Sequence, residues 1–278
     1  MIGAITEGCL VWSAIAGMRV AAIVKVCVLA SSSSGNSAFI ATSRTRVLID
    51  AGLSRREITK RLAAIGENVE QLDAILITHE HSDHICGLVS LAKKFNIPIY
   101  LTHQTAPSID WGDVTPRLEC FQAGCRFPVG DFEVASFTIP HDAIDPVGYA
   151  IAAEGIRVGI VTDLGYVTDS IKMHLRGMNL LLLESNHDLG MLKDGPYPWS
   201  VKQRVMSRRG HLSNEVVADF IREDLDVTVT TLILGHLSEH NNHPELARQA
   251  AIRALDGRTL FTSLVVAEPG VQSDVFTY

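Results

Sequence analysis

Thr78-His79-Glu80-His81-Ser82-Asp83-His84 places three of the chain's 11 histidines within six positions, with an aspartate among them. The stretch follows residues 74–77, a short apolar run that reads as a buried strand, so a rigid element holds the loop. His79 and His81 alternate and can point the same way. Asp83 and His84 come as the chain turns toward a helix and can face a second point nearby. Imidazole and carboxylate are the donors that suit zinc, manganese or iron. A solvated polar loop is the competing reading, and the density of donors argues against it.

Apolar runs and turn residues flank this loop in a regular order. Residues 20–30 read as a buried strand, and Ser31-Ser32-Ser33-Ser34-Gly35-Asn36-Ser37 as a turn by composition. Residues 38–41 and 46–49 predict a hairpin pair ended by Asp50-Ala51-Gly52, and Ser54 can cap a helix over 55–65 that Gly66 stops. Residues 85–95 predict a helix with Leu88, Leu91, Ala92 and Phe95 on one face and Cys86 in its packing. Residues 98–101 predict a strand, and 103–130, with Pro107, Pro116 and Pro128, read as irregular. Strand patterns return at 132–139, 147–153, 156–161 and 180–183, with Gly155 turning between the second and third. Helical patterns cover 200–207 and 214–222, before a strong strand at 230–234 and a helix over 244–255 with Pro at its first turn. Strands in two groups, each followed by helices, predict an α/β fold of two sheets packed face to face with helices outside, an αββα sandwich.

A metal loop alone leaves coordination incomplete, and completing donors are expected at other strand ends. His141 follows the strand at 132–139, Asp163 the strand at 156–161, and His236 the strand at 230–234. Each alone more often caps a helix or satisfies a turn. All three in chain order after the His-rich loop form a pattern.

That pattern resembles the metallo-β-lactamase superfamily: Asp50, then His79-x-His81-x-Asp83-His84, then His141, Asp163 and His236. The resemblance implies the αββα sandwich of two mixed sheets, with a dinuclear site on one edge. It implies that His79, His81 and His141 hold one divalent ion, Zn²⁺ or Mn²⁺, and that Asp83, His84 and His236 hold the other. Asp163 would bridge both, and Asp50 would brace the His-rich loop from behind. The likeness is closer to the YycJ (WalJ) group. It is carried by Ser33-Ser34-Gly35-Asn36-Ser37, Leu48-Ile49-Asp50-Ala51-Gly52, Pro140-His141-Asp142-Ala143, Asp145-Pro146-Val147-Gly148-Tyr149 and Leu183-Glu184-Ser185-Asn186-His187-Asp188. Gly195-Pro196-Tyr197-Pro198-Trp199-Ser200, Arg209-Gly210-His211-Leu212-Ser213-Asn214 and Leu234-Gly235-His236-Leu237-Ser238 extend it, with Ser32 standing where Gly is expected. The group implies a 5′-to-3′ exonuclease on double-stranded DNA with a role in mismatch repair.

Two cations about 3.5–4 Å apart can share a hydroxide and clamp the attacking and leaving oxygens of an in-line displacement. Hydrolysis is therefore the expected chemistry and a phosphodiester the favoured bond, with Asp83, Asp163 and His211 as its catalytic residues. His211 with Asn214 is a candidate to hold the scissile phosphate or protonate the leaving oxygen. Asn186 and His187 follow a buried strand and are further candidates, with Glu184 beside them. Ser33, Ser34 and Asn36 could bind a terminal phosphate, and Tyr197 and Trp199 could stack on bases. Lys202, Arg204, Arg208 and Arg209 cluster before His211, and Arg55, Arg56, Lys60 and Arg61 decorate an early helix; either set could meet phosphates or be a solvated face. A small-molecule or cyclic-nucleotide phosphodiesterase is the alternative function, and a non-catalytic metal-binding scaffold a weaker one.

About 70 residues separate Asp163 from His236, leaving no room for the large inserted domain of β-CASP nucleases. The 24 Lys and Arg against 31 Asp and Glu give −7, which argues against a broad cationic surface but not against a local basic groove. With 47% hydrophobic and 20% charged residues the chain is of globular composition, not disordered. Five cysteines without a CxxC pair point to a reducing, cytoplasmic setting. The uncharged stretch over 8–18 is too short for a membrane span of about 20 residues. Residues 1–17 read as an appended leader, with Met18 a plausible start and residues 18–278 as one domain. Protein partners are not legible, and a homodimer stays open.

Overall fold

A computed structural model of the chain describes residues 23–256, 258 and 261–278. The expected leader over 1–17 and the start at Met18 lie outside the described residues. In chain order the strands are β1 (Lys25–Ser32), β2 (Gly35–Ala41), β3 (Arg46–Ile49), β4 (Ala74–Leu76), β5 (Ile99–Thr102), β6 (Leu118–Phe121) and β7 (Arg126–Val129). They continue with β8 (Phe132–Thr138), β9 (Val147–Ala153), β10 (Ile156–Val161), β11 (Leu180–Glu184), β12 (Thr231–Gly235), β13 (Ser263–Val266) and β14 (Phe276–Thr277). The helices are α1 (Arg55–Ala64), α2 (Ser82–Ile85), α3 (Leu88–Phe95), α4 (Asp169–His174), α5 (Leu189–Asp194), α6 (Trp199–Val205), α7 (Asn214–Glu223) and α8 (Pro244–Leu255).

Two seven-stranded sheets form, in the orders β14-β1-β2-β3-β4-β5-β6 and β13-β12-β11-β10-β9-β8-β7. Each is mixed: β1, β2 and β3 pair antiparallel and β3 to β6 parallel, while β7 to β10 pair antiparallel and β10 to β13 parallel. Alternation along the strands sorts the core. Val26, Val28, Ile40 and Ile49 of the first sheet meet Val134, Tyr149, Ile160 and Leu182 of the second between the sheets. Cys27, Leu29, Phe39 and Leu48 point the other way, onto Ile58 and Leu62 of α1 and Leu88 and Leu91 of α3. Leu181, Leu183, Leu232 and Leu234 likewise pack on α4, α7 and α8 through Ile171, Val217, Ile221 and Ala251. Both strand faces are thus buried, which is why these segments read as continuous apolar runs. This is the αββα sandwich expected.

Several local expectations need correction. The serine-rich stretch is not a long turn: β1 runs to Ser32 and β2 starts at Gly35, so only Ser33 and Ser34 turn. Ser31, Ser32 and Ser37 are buried by hydrogen bonding, Ser37 Oγ donating to the carbonyl of Asp50 at 2.8 Å. The single helix expected over 85–95 is two, because the N–H of Gly87 leaves the helical ladder for the carbonyl of Ala51 at 2.8 Å. Cys86, at that break, is exposed rather than packed. Residues 103–130 hold β6 and β7, the far edge strands of the two sheets, where pairing on one side only left no apolar run to find.

Candidate metal centre

The site forms where the carboxyl ends of strands from both sheets meet, the usual place for function in open α/β sheets. Asp50 follows β3 and His79 to His84 follow β4. His141 follows β8, Asp163 follows β10, Glu184 ends β11, and His236 follows β12. An isolated bridge between Ser32 and Leu237 joins the sheets there, and Ser31 Oγ accepts from the N–H of His236 at 2.8 Å. Asp50, Asp163 and His236 have φ of 58°, 60° and 55°. Such left-handed backbone is sparsely populated by non-glycine residues and concentrates at functional sites. Here it turns the chain sharply off the strand end.

Two groups of donors converge, and a third, Asp163, Glu184, His211 and His236, overlaps the second. His79, His81 and His141 form one, with ring centroids 4.6 to 5.1 Å apart. Asp83, His84, Asp163 and His236 form the other. Asp163 stands between them: Oδ2 lies 3.1 Å from His84 Nε2, and Oδ1 lies 3.4 Å from His236 Nε2 and 3.9 Å from His141 Nε2. The ring nitrogens facing away from the centre are fixed. His84 Nδ1 pairs with Asp50 Oδ2 at 2.8 Å, His236 Nδ1 with Glu184 Oε1 at 2.8 Å, His141 Nδ1 with the carbonyl of Gly210 at 3.3 Å, and His79 Nδ1 with Thr78 Oγ1 at 3.0 Å. Each of these four rings therefore presents Nε2 inward, the arrangement that metal-binding imidazoles use. Asp50 also accepts from the N–H and hydroxyl of Thr78 at 2.8 and 2.9 Å, so it anchors the start of the loop as well as His84.

The residues fit divalent metal on a direct observation. His79 Nε2 is buried and has no hydrogen-bond partner, a costly state that a metal ion would relieve. Burial, with His84 nearby, pushes His79 well below the ordinary imidazole value and keeps it neutral with a free lone pair. Burial opposes ionisation of Asp163, but His236 and His84 outweigh it and hold the carboxyl well below its usual range. Burial likewise opposes protonation of His236, and Asp163, Asp83 and Glu184 outweigh it, pushing the ring up to about 10. A field that draws a proton onto a buried imidazole draws a divalent cation more strongly.

Gly52 makes the geometry of the second group possible. A Cβ there would lie 1.7 Å from the carbonyl oxygen of Asp83, so α2 could not seat. Gly52→Ala is expected to cost about 1–3 kcal/mol by overpacking and to lower bound metal together with stability. Elemental analysis beside calorimetry checks it, and full metal content in a stable variant would sink it.

Glu184 is the residue that sequence reading undervalued. It is fully buried, and Oε1 accepts from both His211 Nδ1 and His236 Nδ1 at 2.8 Å. Oε2 accepts from the N–H groups of Leu164 and Leu212 at 3.1 and 3.0 Å. Burial would raise its carboxyl, but His211 and His236 hold it down to about 2. His211, with its side chain 22% exposed, lies beside the second group, its ring 5.2 Å from His141 and 5.3 Å from His236. Burial opposes its protonation, and the charge of Glu184 outweighs that and raises its pKa.

A sequence model of the β-lactamase superfamily domain matches residues 45–237. The exodeoxyribonuclease WalJ of Streptococcus pneumoniae is 38% identical over 259 residues, which cover 91% of this chain and 93% of that protein. The chain belongs to the WalJ/YycJ group of the metallo-β-lactamase superfamily. The exodeoxyribonuclease YycJ of Bacillus anthracis is also 38% identical, over 82% of this chain and 88% of its own. In fold, this WalJ/YycJ-group chain matches the metallo-β-lactamase fold protein YhfI of Bacillus subtilis with a TM-score of 0.69 at 18% identity, over 92% of this chain and all of that one.

The remaining candidates fall into two sets. Asn36 is brought to the second group, its Nδ2 lying 3.1 Å from His84 Nε2 and 3.2 Å from Asp83 Oδ2. Ser33 and Ser34 are exposed on the turn, but the Ser34 hydroxyl donates to Glu239 at 2.6 Å and the Ser34 N–H to Ser32 Oγ, so a carboxylate stands where a phosphate was expected. Asn214 is buried, bonded to Ser185 and Asn242, and Asn186 Nδ2 donates to the carbonyl of His236; both serve the frame. Tyr197 is half-buried against His240, and Trp199 is 62% exposed at the start of α6. Lys202 leaves the phosphate-binding set, since it is buried with Nζ on the carbonyl of Lys193. Arg204 pairs with Asp142, and Arg61 is spent on Glu57 and the carbonyls of Leu29 and Gly270.

His187 is buried, with Nδ1 unpartnered, and burial lowers its pKa to about 4. The unfolded chain takes this proton near pH 6.5, the folded one only near 4. Its contribution therefore destabilises the fold as pH falls from about 6.5 to 4, by about 3 kcal/mol in all. In EDTA, the melting temperature of His187→Gln is expected to fall less over that range than the wild type's; parallel curves would refute the assignment. Among the described residues no helix is long and apolar enough to cross a membrane.

Proposed function

We propose that this chain is a metal-dependent exodeoxyribonuclease that degrades double-stranded DNA from 5′ to 3′ in a reducing, cytoplasmic setting. The observation that carries the reading is the meeting of two donor groups at Asp163, with the Glu184–His211 pair at their side. Relatives that are 38% identical over most of this chain and most of their own length bear the exodeoxyribonuclease name. His79, His81 and His141 would hold one divalent ion, Zn²⁺ or Mn²⁺. Asp83, His84 and His236 would hold a second, with Asp163 shared. Asp50, Asp83, Asp163 and Glu184 carry −4 between them, which two divalent cations would balance. Bound there, such ions supply Lewis-acid stabilisation of a phosphoryl group and a nucleophile from water at neutral pH.

This chain's own residues do the rest. Glu184 fixes the Nδ1–H of His211, favours its protonated form and leaves Nε2 to donate a proton to the departing sugar oxygen. Asp83, part exposed at the mouth, would orient the attacking water, and Asn36 donates to its Oδ2, the oxygen that also faces His84 and His236.

The test is nucleotide release from an end-labelled, 5′-phosphorylated duplex with Mn²⁺, Zn²⁺ or EDTA, beside His81→Ala. The expected result is metal-dependent release of 5′-terminal nucleotides that the variant lacks. No release from duplex or single strand, with metal shown to be bound, would overturn it in favour of a small or cyclic phosphodiester.

A further inference from the structure

A pocket of about 410 Å³ opens directly beside His141, within the size range of ligand sites. Pro140, Ile144 and Pro146 give it an apolar wall, and Tyr166, Arg208 and Arg209 give it an aromatic and cationic floor. The Arg208 guanidinium lies over the Tyr166 ring at 3.9 Å. Arg208 is exposed, so the outer face of that stack is open. Arg209 Nε donates to the carbonyl of His141 at 3.2 Å, which fixes the second guanidinium against a metal-binding residue. Unlike Arg204, neither arginine pairs with a carboxylate among the described residues.

The pocket is built, not incidental. A Cβ on Gly165 would lie 2.3 Å from the backbone of Arg208, so the chain before Tyr166 and the arginine pair pack backbone to backbone. Across the pocket, the N–H of Ile144 donates to Glu80 Oε1 at 2.8 Å, and Glu80 sits between His79 and His81. Both walls are thus tied to the residues that converge on the metal centre.

We propose that this pocket receives the nucleotide adjoining the scissile phosphodiester, its base stacked on the Arg208–Tyr166 platform and its phosphate drawn by Arg209. The proposal rests on the exonuclease reading for its substrate class. A flat guanidinium on an aromatic ring beside proline and isoleucine suits a base, since stacking accepts any of the four. Asp145 on the same wall offers an acceptor for a base amino or ring N–H. Inorganic phosphate alone would leave the apolar wall without a partner.

The test measures binding of dTMP, thymidine and inorganic phosphate to the metal-loaded protein by calorimetry. The wild type is expected to bind dTMP at least about fivefold more tightly than phosphate, the low end of one base stack. Tyr166→Ala and Arg208→Ala are expected to lose that margin while phosphate affinity in Tyr166→Ala stays within about twofold. Tyr166→Phe, which keeps the ring, is expected to retain the margin and guards against a fold defect. Equal affinity for dTMP and phosphate in the wild type, or dTMP binding unmoved in both alanine variants, overturns the subsite. So does a loss in Tyr166→Phe equal to that in Tyr166→Ala. If dTMP binds as expected and no DNA is degraded, the subsite stands and the exonuclease reading falls.

Discussion

Asp163→Ala is expected to lose more than about 10³-fold of metal-dependent hydrolysis, and His81→Ala to do the same. Partners one layer behind a metal cost about 10–100-fold when removed, and the groups that meet it cost more. Asp163 stands between both donor groups, so its loss disturbs both at once. His81 is only half-buried, so its removal leaves the core whole. Asp163→Asn separates charge from backbone, because asparagine also tolerates a φ near 60°. The fold of Asp163→Asn is expected to match the wild type by circular dichroism while activity and metal content fall. Near-wild-type turnover in any of the three variants would end the two-group mechanism.

The second large effect is on stability. Glu184→Gln is expected to lower the melting temperature by roughly 10 °C, because breaking a buried charged network costs about 3–5 kcal/mol. Four N–H donors converge on this carboxylate, two on each oxygen. Whichever way a glutamine amide turns, its NH₂ faces two donors and satisfies neither. The change also frees the rings of His211 and His236, so activity is expected to fall about 10–100-fold beside the stability loss. A glutamine variant that melts with the wild type would mean that the carboxylate carries no such network.

The convergence of the candidate donors was legible because they follow apolar runs, and a strand end followed by His or Asp is visible in one dimension. Glu184 was harder. Its partners His211 and His236 lie 27 and 52 residues away, and only the fold brings both rings to one oxygen. Edge strands β6 and β7 escaped notice because Glu119, Cys120, Arg126 and Pro128 are exposed, which erases the apolar signal. The break at Gly87 is tertiary, set by the carbonyl of Ala51. Charge alone could not sort the cluster before His211 either: Lys202 turns inward, Arg204 meets Asp142, and only Arg208 and Arg209 face the pocket.

The two groups proposed to hold metal each draw from both sheets: His79 and His81 with His141, and Asp83 and His84 with Asp163 and His236. Neither of these two groups can form from one half of the chain alone, although Asp163, Glu184, His211 and His236 meet within the second half. Metal held by those two groups would complete its coordination only after the halves dock, and would act as a reversible cross-link between them. By mass action, free metal at 100 times its dissociation constant would add about 2.7 kcal/mol to that docking. A lesion anywhere in the seam between the sheets, such as one at Tyr149, should announce itself first as weaker metal retention, before any strand is lost.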